Sequence, residues 1–180
     1  MSVNAGEILT RGTIWLTIAG YTMGVATFAL SGQKRKLDWI TRLAWTAAFL
    51  CLLAHVAFAF HYSHAWSHEE AYIHTARQTD EVIGLNWGGG LYVNYVLIVG
   101  WLTDIAWWWL AGLDTYRQRP WPLVVAGHGF LIFIIFNSTT VFGVGVARWA
   151  GAIVCLAVCL LWWRVARNTP NWRFRKYLQT

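Results

Sequence analysis

Three imidazoles at the end of a long apolar run are the first residues here that invite chemistry. The segment reads His61-Tyr-Ser-His64-Ala-Trp-Ser-His68-Glu-Glu-Ala-Tyr-Ile-His74. Neither Pro nor Gly interrupts it before Gly84, so the spacing predicts one helix, continuing beyond the bilayer, through the whole stretch. At about 100° per residue His61, His64 and His68 fall in a single stripe, extended by Tyr72 and Thr75. Glu70, His74, Arg77 and Glu81 gather on the opposite face, the natural solvent face. Neutral imidazoles at i, i+3 and i+7 can converge on Cu, Zn or Fe, with Glu69 or Asp80 completing the coordination. The competing reading is a hydrogen-bonded, pH-sensitive polar cap, because imidazole titrates near neutrality.

No enzyme signature narrows this choice, and enzymatic activity stays an open question. The run His68-Glu69-Glu70-Ala71-Tyr72 lacks the second His of a zincin helix. Paired Glu-x-x-His motifs of di-iron bundles are missing too. Asn86-Trp87-Gly88-Gly89-Gly90 has neither the Lys nor the strand context of a phosphate loop. Its glycines suit a tight re-entry or a close backbone approach.

A second set of polar side chains lies inside apolar segments, where they are costly and usually face the protein interior. These are His55, Asp104 and His128. With a rise of about 1.5 Å per residue, Asp104 sits roughly 13 Å and His128 roughly 10 Å from the same end of the bundle. The two are level and predicted to pair, as a proton relay, a ligand site or a helix-specifying contact. His55 lies about 22 Å from that end, so a haem held between His55 and His128 is geometrically poor and the lesser reading. His55, Asn94 and Asn137, with Tyr92, Tyr95, Ser138, Thr139 and Thr140, are expected to line a cavity beneath the imidazole stripe. The alternative for each is an interhelical hydrogen bond, worth about 0.6 kcal/mol in membranes.

The elements that must position these groups are legible in composition. Hydrophobic residues make up 57% of the chain and charged ones 12%, against about 25% charged in soluble domains. The expected architecture is a single all-α transmembrane domain of five helices, spanning about 12–30, 40–62, 91–113, 121–142 and 144–163. Between the second and third spans lies the His-rich segment 61–90, and after the fifth comes a basic tail, 164–180. The N-terminal residues lack a secretory signal pattern, so the first span is expected to persist. Lys34, Arg35, Lys36, Arg42, Arg117, Arg119, Arg164, Arg167, Arg173, Arg175 and Lys176 all fall at one end of an alternating topology. Arg11, Arg77 and Arg148 fall at the other. The bias of Lys and Arg toward the cytoplasm predicts N-outside and C-inside, in a plasma membrane of bacterial (inner-membrane) type. Because the net charge of +6 lies in these loops, the partners expected are the lipid bilayer and other membrane subunits, with no nucleic acid.

Fourteen tryptophans fit interfacial anchors. Cys51, Cys155 and Cys159 all sit in apolar runs and are expected to pack as small hydrophobes, without a disulfide framework. Gly20 and Gly24 form a small-xxx-small pattern that lets a neighbouring helix approach closely, within the chain or between copies. Size, helix number and Trp richness resemble the tryptophan-rich sensory (translocator) family. That family's early Pro- and Trp-rich motif is missing, since Pro120, Pro122 and Pro170 are the only prolines, and the resemblance implies nothing about sites. The functional expectation is an outward-facing transition-metal site at His61, His64 and His68, in redox or metal handling. The alternatives are a non-catalytic subunit of a larger membrane complex and a proton-coupled transporter using Asp104 and His128.

Overall fold

Apolar runs about 20 residues long, broken by short polar or glycine-containing joints, leave helix as the conformation that satisfies every backbone group in lipid. The computed structural model describes residues 5–31 and 35–168. Among them there are only helices and joints: α1 (Ala5–Ser31), α2 (Arg35–Ser63), α3 (His68–Ile83), α4 (Gly90–Arg117), α5 (Trp121–Phe136) and α6 (Val146–Asn168). A π-helical turn, Asn137–Val141, extends α5. Five segments are long and apolar enough to cross a membrane: Ala5–Leu30, Leu37–Ser63, Gly90–Arg117, Trp121–Val141 and Val146–Arg164. The chain therefore reads as an integral membrane protein. Lys34 and the tail from Thr169 onward, including Arg173, Arg175 and Lys176, lie outside the described residues.

The outer surface of the bundle is apolar, with Leu16, Leu110 and Ile153 each well over half exposed. Lipid tolerates that arrangement; water would not. Inside, Ile18, Tyr21 and Val25 of α1 pack with Trp45 and Phe49 of α2, Leu97 and Trp101 of α4, Leu131 and Ile135 of α5, and Val158 of α6. The helices α1 and α2 make the most intimate pair. A Cβ on Gly20 would come within 2.9 Å of the Ala48 methyl, and one on Gly24 within 3.3 Å of the Trp45 ring. The small-xxx-small face of α1 is thus used inside the chain.

The fourth helix does not run straight through. Gly112 has φ 76° and ψ 170°, a region open in practice only to glycine. A straight helix would separate Asp104 and Tyr116 by about 18 Å along its axis, yet the Tyr116 hydroxyl donates to Asp104 Oδ2 at 2.8 Å. Residues 113–119 therefore fold back against residues 90–111, which alone cover about 33 Å. The Tyr116 ring stacks on Trp108, with centroids 4.1 Å apart and planes 12° from parallel. The Arg119 guanidinium then reaches Asp104 in an ion pair whose side chains are only 9% and 25% exposed. Trp45 Nε1 of α2 donates to the same carboxylate at 3.0 Å. Beside this cluster Arg117 pairs with the buried Asp38 of α2. Two arginines read from sequence as loop charges are partners of intramembrane carboxylates instead.

This arrangement makes a quantitative prediction. Arg119→Gln leaves the Asp104 charge buried without its cation and should cost about 3–5 kcal/mol. The double variant Asp104→Asn/Arg119→Gln removes both charges and should recover most of that loss. Thermal unfolding of the detergent-solubilised variants checks it; equal losses in the single and double variants would contradict the ion pair's role.

Candidate functional site

The imidazole stripe does not survive folding, because the helix that would carry it ends. Helix α2 stops at Ser63, and Ala65 and Trp66 take left-handed conformations, with φ of 46° and 62°. The Trp66 N–H bonds back to the Phe60 carbonyl at 3.0 Å, closing the turn. Ser67 then caps a new helix: its hydroxyl accepts from the Glu70 N–H at 3.2 Å. Ser67-His-Glu-Glu70 is a capping-box pattern, a helix start written in the sequence and outweighed there by the absence of Pro and Gly. The continuous helix expected over residues 61–83 is corrected to two helices with a joint at 64–67.

The joint scatters the three candidate ligands. His61 remains on α2, exposed, its Nδ1 accepting from Trp66 Nε1 at 3.4 Å. His68 opens α3 and sits against the rings of Tyr92 and Tyr95, with centroids 5.7 and 5.9 Å away. His64 meets His74 at 5.2 Å, although His74 had been assigned to the opposite face of a continuous helix. Among the described residues no three His, Cys, Asp or Glu side chains come together as a group that could hold a metal ion. The doubling back of α3 relies on Gly88, where a Cβ would strike the Tyr72 ring and carbonyl.

Beneath α3 lies a cavity of about 570 Å³. Its walls come from every membrane-crossing helix and from α3. His55 and Asn94 line it, as do Tyr95, Ser138 and Thr139. Asn137 does not; its amide donates to the Phe133 carbonyl at 2.8 Å, within its own helix. The Nδ1–H of His55 donates to the Thr10 carbonyl at 2.9 Å. Most of the wall is apolar, with Ile14, Ile18, Leu52, Val56, Ile98 and Leu131 among the lining residues, and His64, His74 and Arg11 stand toward the α3 end. No Asp or Glu contributes to it.

The floor of the cavity is a layer of rings, one from each crossing helix. Tyr21 of α1 lies 5.5 Å from Trp45 of α2, which lies 5.1 Å from Trp101 of α4 and 5.3 Å from His128 of α5. His128 in turn lies 4.3 Å from Trp162 of α6. The Tyr21 hydroxyl and His128 Nδ1 are 3.4 Å apart. On the far side of this layer is a small void of about 20 Å³, bounded by Gly24, Val25, Phe28, Thr41, Trp108, Tyr116 and Arg119 together with Trp45, His128 and Trp162.

Asp104 and His128 thus belong to one region without being each other's recorded partners. Asp104 is engaged by Arg119, Tyr116 and Trp45, and His128 by aromatic rings. Trp45 touches both, its N–H on Asp104 and its ring against His128. Asp38, Tyr116, Arg119 and the ring layer were not singled out from sequence. A charge at Asp38 between Lys36 and Arg42 looks like loop, and a depth estimate on a straight helix cannot bring residue 119 back to residue 104.

No protein-family model matches the chain, and no curated protein or solved structure is similar to it. Its chemistry has to be read from its own residues.

One such reading concerns the cavity mouth. Burial and the neighbouring His74 push the His64 imidazole below its ordinary 6.5, while Glu70 pulls it the other way. A lowered folded-state value means that the neutral ring stabilises the α2–α3 contact. That stabilisation is present in full above pH 6.5 and is lost as pH falls through the lowered value. NMR titration should find His64 titrating below 6.5, and His74→Asn should raise it toward that value. The protection of α3 amides, taken relative to the intrinsic exchange rate at each pH, should fall on acidification in the wild type, and less so in His74→Asn.

Proposed function

We propose that this chain is a polytopic membrane protein that binds an apolar or amphiphilic small molecule in the cavity under α3. The carrying observation is the cavity itself, about 570 Å³ with a largely apolar wall and a few polar groups converging toward one end. Ligand pockets are commonly about 300–1,000 Å³ and are lined in this way. A void of this size in a helical bundle forfeits packing that side chains could have supplied, so an occupant that fills it stabilises the fold. A metal centre at His61, His64 and His68 is not the reading this geometry favours, because those imidazoles reach different neighbours.

The orientation that goes with this reading puts α3 and the cavity mouth outside and the basic loops in the cytoplasm. It rests on the Lys and Arg asymmetry, to which Arg42, stacked 3.9 Å over the Trp109 ring, contributes an interfacial anchor. A bacterial-type plasma membrane suits that polarity. Leu85→Cys, beyond α3, should be labelled by an impermeant thiol reagent added to intact cells, in a background lacking Cys51, Cys155 and Cys159. Labelling only after lysis would reverse the assignment.

Binding is tested with N-phenylnaphthylamine, an uncharged lipophile that fluoresces when buried. The purified protein should show one saturable site. Val56→Trp, which pushes an indole into the cavity from α2, should weaken it about tenfold, equivalent to about 1.4 kcal/mol. Equal binding by both proteins would remove the cavity from the function.

A further inference from the structure

The cavity and the small void beyond the ring layer are lined by successive residues of the same helices. Along α1 the lining passes from Ile14, Ile18 and Tyr21 in the cavity to Gly24, Val25 and Phe28 in the void. Along α2 it passes from Leu52 to Trp45 and Thr41, and along α4 from Trp101 to Trp108. On α5 it passes from Leu131 to His128. Between Tyr21 and Gly24 lie about 5 Å of helix, so one layer of rings is all that divides the two spaces. The folded-back segment after Gly112 supplies Tyr116 and Arg119 to the wall of the void, both bound to Asp104.

We propose that the cavity and the void are two compartments of one solute path across the bundle, that the Tyr21–Trp45–Trp101–His128 ring layer is its inner constriction, and that residues 113–119 are a gate at the basic end. The proposal rests on the ligand-cavity reading and turns a binding protein into a carrier for the same class of apolar or amphiphilic molecule.

Three features of the barrier suit a gate. Its hinge is a single glycine, Gly112, at φ 76° and ψ 170°, so the flap moves by changing a few dihedrals while residues 90–111 stay packed. Its latch is side-chain chemistry: the Arg119 ion pair and the Tyr116 hydroxyl on Asp104, and the Arg117 ion pair with Asp38. The closed ring layer also leaves the buried Trp101 indole N–H without an acceptor among the described residues. Water or a ligand acceptor entering an opened layer would supply the missing hydrogen bond.

Thiol accessibility tests the path without knowledge of the solute. Val25 lines the void and is 3% exposed; Val25→Cys, in a background with Cys51, Cys155 and Cys159 changed to Ala, places a small thiol there. The protein is reconstituted in sealed vesicles, and a charged, impermeant methanethiosulfonate reagent is added to one side at a time. In the parent the thiol should react slowly from both sides. The double variant Asp104→Asn/Arg119→Gln, which releases the Asp104 part of the latch without stranding a charge, should raise the rate from the basic side about tenfold. Tyr116→Phe, which keeps the stack on Trp108 and removes one latch bond, should move the same rate in the same direction. Tyr21→Ala, which thins the ring layer, should raise the rate from the α3 side. A basic-side rate equal in the parent, the double variant and Tyr116→Phe overturns the gate. N-phenylnaphthylamine binding is measured on every variant. If the probe binds and Val56→Trp displaces it while the thiol rates stay flat, the cavity stands and the path falls. If Val56→Trp has no effect on binding, the cavity reading itself has failed.

Discussion

A carboxylate inside a membrane-crossing helix must be answered by a cation and by hydrogen bonds, or it destabilises the element that carries it. Asp104 is answered by Arg119, Tyr116 and Trp45, and much of the bundle's geometry follows from that requirement. To bring residues 116 and 119 to residue 104 the chain has to reverse at Gly112. That reversal shortens the straight part of α4 and lays residues 113–119 back against it. The same carboxylate holds the Trp45 indole, which fixes the face that Trp45 turns toward Tyr21, Trp101 and His128. The ion pair, the fold-back and the ring layer are therefore consequences of one buried charge.

The two ends of the molecule solve different problems. At the basic end, charge is neutralised and space is nearly eliminated, leaving a void of about 20 Å³. Toward α3 the helices stay apart around about 570 Å³, and two polar groups of the fifth crossing segment are satisfied within that segment. Asn137 and Thr139 donate to carbonyls four residues back, which lets α5 carry polar side chains at depth without requiring a partner across the cavity. Close packing is concentrated in the α1–α2 pair, where Gly20 and Gly24 remove the Cβ atoms that would hold the helices apart. A bundle tight on one side of the ring layer and open on the other has an asymmetry suited to holding a molecule.

The helix α3 shows how a short local signal can redirect distant chemistry. The left-handed Ala65 and Trp66 and the Ser67 cap turn a continuous helix into a corner. That corner exchanges the partners of four histidines. His64 gains His74, His68 gains two tyrosines, and His61 is left beside Trp66. Periodicity on an uninterrupted helix assigns faces correctly only as long as the helix continues. At this position the backbone leaves it at a cost of about 1–2 kcal/mol per left-handed residue, offset by the caps on either side.

Hydrophobic run length, the spacing of glycines and the distribution of Lys and Arg determined the number of crossing helices, their approximate limits and the polarity expected of them. Those properties are local and additive along the chain, so a reading residue by residue recovers them. Composition also placed His55 and Asn94 near a common opening, and Asp104 and His128 at a common depth, because depth in a straight helix is simple arithmetic. The tertiary structure alone decided which groups meet. Asp104 took Arg119 in place of His128, Asp38 took Arg117, and the imidazoles parted, because a reversal at one glycine and a corner at one joint change distances by more than a helical repeat can predict. The ring layer was invisible in sequence for the same reason: its rings lie on separate helices, and only packing brings them to one level.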